Sequence, residues 1–169
     1  MELKKYIRDV PDYPIKGVSF KDITTLLNNP DIFSKALDFM QSYIPESTEV
    51  LASIESRGFI FGSALSDRLK LPNILLRKKG KLPPPVIQKE YKLEYGIDYI
   101  EAGASTLPSN KKIMIIDDLI ATGGSANASE ELLTESGNIV LGITVLIKLD
   151  YLSPDTLFKK PIYSVATYD

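Results

Sequence analysis

Two adjacent carboxylates followed by a glycine-rich turn are the residues of this chain with the clearest chemical meaning. Asp117 and Asp118 close the apolar run Ile113-Met114-Ile115-Ile116, and Ala121-Thr122-Gly123-Gly124-Ser125 follows shortly after. Consecutive glycines let backbone N–H groups converge on one point, and a helix starting there adds the positive end of its dipole. Such a cradle suits a phosphate. The acidic pair beside it suits ribose hydroxyls or a metal-bound sugar, so the combination describes a phosphorylated sugar rather than a bare phosphate. The plainer alternative is an acidic helix cap next to an ordinary turn. A Walker-type loop is excluded, because no G-x-x-x-x-G-K-[ST] occurs and no lysine lies within the turn.

Three further stretches carry polar chemistry, each with a plain alternative. Glu55-Ser56-Arg57-Gly58-Phe59 follows an apolar run. Arg57 could hold a pyrophosphate through paired hydrogen bonds, or be a surface arginine beside a helix-starting Ser56. Arg77, Lys78, Lys79 and Lys81 put four cations in five positions. Charge runs usually face solvent, but a polyanionic substrate would explain this one in a chain of net charge −2. Glu94, within Glu90 to Gly96, reads from the residues alone as a solvated glutamate in an exposed ribbon turn. Phe20 reads by composition as a buried aromatic.

Composition narrows the chemistry. There are no cysteines and no histidines. Disulfides, thiolate metal sites, Ser-His triads and imidazole acid–base catalysis are therefore impossible. Proton transfer must fall to Asp, Glu, Lys or Tyr. The small negative charge supplies no basic field for nucleic acid. The start, Met1-Glu2-Leu3-Lys4-Lys5, lacks the apolar centre of a signal peptide, and no run approaches a membrane span. A cytoplasmic protein without a membrane partner is the expectation.

The elements that must position these residues alternate in type. Apolar runs at Glu49–Ile54, Leu71–Leu76, Ile113–Ile116, Ile139–Ile147 and Ile162–Ala166 predict strands. Asp31–Tyr43, Phe59–Leu69 and Ser125–Ser136 predict helices, with Asn29 as N-cap before Pro30 and Gly137 as a C-terminal stop. Val86–Tyr91 and Ile97–Glu101 predict a two-stranded ribbon with Lys92–Gly96 at its tip. The order predicts an α/β fold, a single domain over 1–169 with a parallel sheet, whose ligand edge lies at the carboxyl ends of the strands. The loops after residues 54, 76 and 116 all occupy that edge. Residues 1–25, interrupted by Pro11 and Pro14, predict an irregular hood.

The order apolar strand, Asp-Asp, Thr-Gly-Gly-Ser resembles the signature of the type I phosphoribosyltransferases, with Ser125 in place of the more usual threonine. Ser-Arg-Gly-Phe at 56–59, Arg-Lys-x-Gly-Lys-Leu-Pro at 77–83 and Tyr-x-Leu-Glu-Tyr-Gly at 91–96 are similar to motifs of the adenine phosphoribosyltransferases within that group. The resemblance runs from Tyr13 to Leu149. It implies a central, mostly parallel five-stranded sheet flanked by helices, a small hood, and a flexible catalytic loop over 82–103. It also implies transfer of a phosphoribosyl group from phosphoribosyl pyrophosphate to adenine, giving AMP and pyrophosphate in purine salvage. The other readings are transfer to another purine base, or a non-catalytic binder of phosphoribosyl pyrophosphate.

The resemblance assigns roles residue by residue. Asp117, Asp118, Ala121, Thr122, Gly123, Gly124 and Ser125 would hold the ribose 5-phosphate. Ser56, Arg57, Arg77, Lys78 and Lys81 would hold pyrophosphate. Ser19, Phe20, Lys21 and Leu149 would hold adenine, although Lys148, beside Leu149, is commonly acidic in relatives. Glu94 and Arg57 would be catalytic. Mg²⁺ would arrive with the substrate rather than on direct protein ligands. A homodimer is implied, and a non-proline cis peptide is implied at Glu55-Ser56.

Overall fold

In the computed structural model, residues 3–92 and 96–169 are described. The architecture follows from strand β7 (Lys112–Ile120), whose residues 113–118 are all buried. Ile113 and Ile115 pack into one apolar cluster, and Met114 and Ile116 into another on the opposite face. A strand covered on both faces needs apolar residues at every position, which is why this segment reads as a continuous run rather than an alternation.

Strands β3 (Val50–Ile54) and β8 (Ile139–Leu149) pair parallel to β7 on either side. β4 (Asn73–Lys78) extends the sheet beyond β3, and β9 (Ile162–Tyr168) extends it beyond β8, again parallel. These are the five parallel strands expected. The ribbon strands β5 (Val86–Lys92) and β6 (Ile97–Gly103) pair with each other and join antiparallel at β4, giving seven strands in the order β5-β6-β4-β3-β7-β8-β9.

Helices α2 (Pro30–Ser42) and α3 (Gly58–Leu69) cover one face through Ile32, Ala36, Leu37, Met40, Phe61 and Leu65. Helix α4 (Gly124–Glu135) covers the other through Ala126, Ala128, Leu132 and Leu133. α2 starts as its sequence predicts. Asn29 caps it, its side chain accepting the Ile32 N–H at 3.2 Å, and Pro30 takes the first helical position. A short helix α1 (Thr24–Leu27) precedes it.

The N-terminal segment forms a two-stranded antiparallel sheet, β1 (Arg8–Val10) with β2 (Phe20–Asp22), apart from the main sheet. Asp22 ties the two together by accepting from Arg8 at 2.8 Å and from the Thr24 hydroxyl at 2.7 Å. Among the described residues, no helix is long and apolar enough to cross a membrane.

Candidate active site

All five parallel strands end at one edge, and Glu55–Phe59, Arg77–Lys81 and Asp117–Ser125 collect there. One difference matters. The acidic pair does not terminate its strand: β7 continues to Ile120, with Asp117 opposite Val145 and Ile120 opposite Lys148. On the β3 side the ladder stops at Ile116, opposite Ser53. Asp117 and Asp118 thus lie just past the last β3–β7 pair, in extended backbone where β7 still runs along β8. This holds them more rigidly than a loop would.

Both carboxylates are buried, at 8% and 4% exposure. Burial, then the neighbouring Asp118, pushes the Asp117 carboxyl well above the usual carboxylate range. Burial also raises Asp118, against the opposing pull of Arg57. The Arg57 Nε lies 2.9 Å from Asp118 Oδ2, yet that oxygen accepts no properly directed hydrogen bond. Asp117 Oδ1 accepts the Asp118 N–H at 2.8 Å. Among the described residues the pair therefore combines one close cation, Arg57, with a buried oxygen that still has acceptor capacity, which suits the hydroxyl donors of a sugar.

Arg57 connects three elements. It sits at the head of α3, its guanidinium is 5.1 Å from the Phe20 ring centroid, and its Nη1 donates to the Lys21 carbonyl at 3.4 Å. Through it strand β2 is brought against the acidic pair. Lys21 is buried, with its ammonium 3.0 Å from Asp9, 3.0 Å from the Ser19 hydroxyl and 4.4 Å from the Tyr168 ring centroid. The Ser19 hydroxyl in turn donates to Asp9. Leu149 is buried in the cluster beneath β9, where it pairs in register with Tyr168.

The close approach of α3 to β7 depends on Gly58. A Cβ there would lie 2.8 Å from Asp117 Oδ1 and 3.0 Å from the Ile116 carbonyl oxygen. Only a residue without a side chain lets the helix start against the acidic pair. The peptide between Glu55 and Ser56 is cis, at the position the resemblance implied.

The glycine-rich loop turns into α4 through Gly123, whose φ of +86° is in the left-handed region. Ala121, Thr122, Gly123, Gly124 and Ser125 line a cavity of ≈310 Å³ together with Lys78, Tyr91, Lys92 and Leu119. Tyr91 and Lys92 come from the ribbon: the Tyr91 ring and the Lys92 carbonyl lie 3.4 and 3.6 Å from where a Gly124 Cβ would be. A larger cavity of ≈490 Å³, lined by Val50, Asn73, Leu75 and Lys111, lies at the amino ends of the strands, away from every one of these groups.

The basic stretch is divided by its partners. Arg77 lies 3.2 Å from Glu55 and donates to the Lys81 carbonyl at 2.9 Å, which ties the loops after β3 and β4 together. Lys78 reaches the ribbon, 2.6 Å from Asp98 Oδ2 and in contact with the Tyr91 hydroxyl, which itself donates to Asp98 at 2.9 Å. Lys79 lies over the Tyr99 ring, and Lys81 is exposed. Glu94 lies outside the described residues.

Sequence reasoning missed Leu119, Tyr91 and Lys92 as cavity residues, and Asp98 as the partner of Lys78. The hairpin register places Tyr91 opposite Asp98, so reading that pairing from the Lys92–Gly96 tip would have found the second group.

Comparison with known proteins places this geometry in a class. The sequence profile of the phosphoribosyl transferase domain matches residues 22–164, and the chain belongs to the phosphoribosyl transferase family. More particularly, it is 42% identical over 170 residues to the adenine phosphoribosyltransferase of Rhodospirillum rubrum, covering 100% of this chain and 99% of that protein. The crystal structure of adenine phosphoribosyltransferase from Thermoanaerobacter pseudethanolicus superposes with a TM-score of 0.94 at 36% identity, covering 99% of this chain and 98% of that one. The Saccharomyces cerevisiae adenine phosphoribosyltransferase, solved with adenine and an imino-altritol bisphosphate, superposes with a TM-score of 0.91 at 32% identity, covering 97% and 96%.

Proposed function

We propose that this chain transfers the 5-phosphoribosyl group from phosphoribosyl pyrophosphate to adenine, forming AMP and pyrophosphate. The observation that carries the reading is a single edge holding a phosphate loop, a buried acidic pair and a hood aromatic, with Arg57 touching the last two. A ligand spanning those three points needs a phosphate, a ribose and a flat base.

The Ala121–Ser125 loop anchors the 5′-phosphate, and Asp117 and Asp118 take the ribose hydroxyls. Phe20 stacks on the base, with Ser19 and Lys21 at its edge and Leu149 supporting from beneath. Ser56, Arg57, Arg77, Lys78 and Lys81 surround the pyrophosphate. Mg²⁺ enters as part of the substrate complex. Bound with the diphosphate, such an ion would supply positive charge that offsets the charge of the leaving group, beside Arg57, Arg77 and Lys81.

In the reaction the bond from C1 of ribose to the pyrophosphate oxygen breaks and its electrons leave with pyrophosphate. An imidazole nitrogen of adenine forms the new bond to C1 and loses its proton. Glu94 handles that ring proton. The carboxylates at 117 and 118 favour the positive charge that develops on the ribose. Phosphate anchoring uses remote binding energy to place the reacting carbon. Residues 1–25 act as the hood over the base, and 82–103 as the loop that excludes water, within one domain. A cytoplasmic homodimer completes the reading.

The test is AMP formation from adenine, phosphoribosyl pyrophosphate and Mg²⁺, with hypoxanthine and guanine as controls. AMP from adenine alone is expected. Nucleotide formed preferentially from another base would reassign the substrate, and binding of phosphoribosyl pyrophosphate without any product would make the chain a regulator.

A further inference from the structure

We propose that Lys148 is a positioning residue for the phosphate loop, acting through the turn at Pro154–Thr156. The proposal rests on the reading of Ala121–Ser125 as the site of the 5′-phosphate. Lys148 is the next-to-last residue of β8 and lies opposite Ile120, the residue that leads into that loop. Its side chain does not extend into solvent. The ammonium bridges two carboxylates, 2.9 Å from Asp150 Oδ1 and 2.7 Å from Asp155 Oδ2, and the side chain is only 17% exposed. Asp155, then Asp150, holds it above the ordinary lysine range.

Asp155 belongs to the short 3₁₀ turn Pro154–Thr156 between β8 and β9. The preceding residue, Ser153, adopts φ +50°, so the chain enters the turn through a left-handed kink. The turn backs the phosphate loop directly: the Pro154 carbonyl oxygen lies 2.7 Å from where a Cβ on Gly123 would be. That carbonyl is aimed by the N–H groups of Leu157 and Phe158, at 3.2 and 3.0 Å, and Phe158 is buried in the core.

Among the described residues the turn is held through Phe158, through the Lys148 clamp on the Asp155 side chain, and through Lys159, which donates to the Asp155 carbonyl at 3.0 Å. Gly123 has the left-handed backbone that aims the loop, and the Pro154 carbonyl is the nearest atom to the position its Cβ would take. Releasing the clamp removes the tie between this turn and the end of β8 and lets the carbonyl recede from Gly123. The 5′-phosphate is far from the bond that breaks. A loosened cradle therefore weakens ground state and transition state together, which raises KM for phosphoribosyl pyrophosphate and spares kcat. A purely structural role would instead lower thermal stability without singling out one substrate.

The experiment compares Lys148→Met, Asp155→Asn and their double variant with the parent, and includes Lys148→Arg as the conservative control. Each single variant is expected to raise KM for phosphoribosyl pyrophosphate about three- to tenfold, with kcat and the adenine KM within about twofold. Lys148→Arg stays near the parent. The double variant is no worse than the worse single, because both residues act through one contact. An unchanged KM in Lys148→Met, or single effects that multiply in the double, overturns the clamp. Calorimetric binding of phosphoribosyl pyrophosphate to the same proteins separates the two readings. If no protein makes AMP but the dissociation constant shifts in this pattern, the enzyme reading fails and the clamp stands. AMP formation with flat constants defeats the clamp alone.

Discussion

Replacing Gly58 by alanine tests whether the head of α3 sets the position of the acidic pair. The added Cβ would meet Asp117 Oδ1 at 2.8 Å, the Ile116 carbonyl oxygen at 3.0 Å and Asp117 Cα at 3.1 Å, where ordinary contact begins near 3.4 Å. Two of these three atoms are backbone, so no rotamer change relieves them. Either α3 or β7 must move by about half an ångström in a close-packed interior. Overpacking of this kind costs ~1–3 kcal/mol, offset by up to ~1 kcal/mol from the reduced freedom of the unfolded chain. A net loss of ~1–2 kcal/mol corresponds to a Tm lower by about 2–8 °C at this chain length. A displacement of 1 Å at a reacting group can cost about a hundredfold, so half of that should cost roughly tenfold in kcat/KM. Gly62→Ala supplies the contrast, since its Cβ would strike the Ser53 hydroxyl one helical turn further on. It should destabilise as much or more while costing less kcat/KM per degree of Tm. The assays are thermal unfolding and initial-rate AMP formation. Gly58→Ala with parental Tm and kcat/KM would refute the close-approach reasoning, and equal activity loss per degree in both variants would refute its link to Asp117.

Asp117→Asn should separate stability from activity. The Asp117 carboxyl is raised by burial first and by Asp118 second, so the folded chain keeps this proton to higher pH than the unfolded chain does. Its contribution to stability therefore falls as pH climbs from about 4 through the raised pKa. The asparagine avoids that loss and keeps an oxygen for the Asp118 N–H; urea unfolding should show the variant gaining on the parent between pH 4 and 8, while AMP formation drops. A variant stability that falls relative to the parent as pH rises would contradict this account. Asp98→Asn should release Lys78 from the ribbon and lower the KM for phosphoribosyl pyrophosphate about two- to fivefold, provided Lys78 serves the pyrophosphate; a higher KM would mean that the Lys78–Asp98 contact holds the productive ribbon. Glu94→Ala should lower kcat by about a hundredfold or more with little change in binding of phosphoribosyl pyrophosphate, and unaltered turnover would remove Glu94 from the mechanism.

What could be read from the chain depended on whether a feature was local. The helix start at Asn29-Pro30, the stop at Gly137 and the glycine-rich turn at 121–125 leading into a helix are short-range chemistry, and each lies where its residues indicate. The doubly buried strand was legible too, because burial on two faces removes polar residues from Ile113 to Ile116. Its end was not. Asp117 and Asp118 look like strand terminators, yet β8 keeps pairing with them while β3 has already stopped, and only tertiary register decides that. The same limit applies to side-chain partners. Arg57 with Asp118, Arg77 with Glu55, and Lys148 with Asp155 are brought together by the sheet edge. Of these, only Lys148 and Asp155 are near in sequence, and even their contact depends on the left-handed kink at Ser153.

These partners change the meaning of the basic residues around the site. Three of the cations expected to meet pyrophosphate already face a carboxylate: Arg57 meets Asp118, Arg77 meets Glu55, and Lys78 meets Asp98. Burying an uncompensated acid is costly, and Asp118 at 4% exposure has Arg57 as its close cation. A diphosphate that recruits Arg57 must offer Asp118 something in return. Ribose hydroxyls, as hydrogen-bond donors, can do so. A bare pyrophosphate brings no such donor. The exchange of partners therefore favours a ligand that carries ribose and diphosphate together, and the selectivity resides as much in the acids that hold the cations as in the cations themselves.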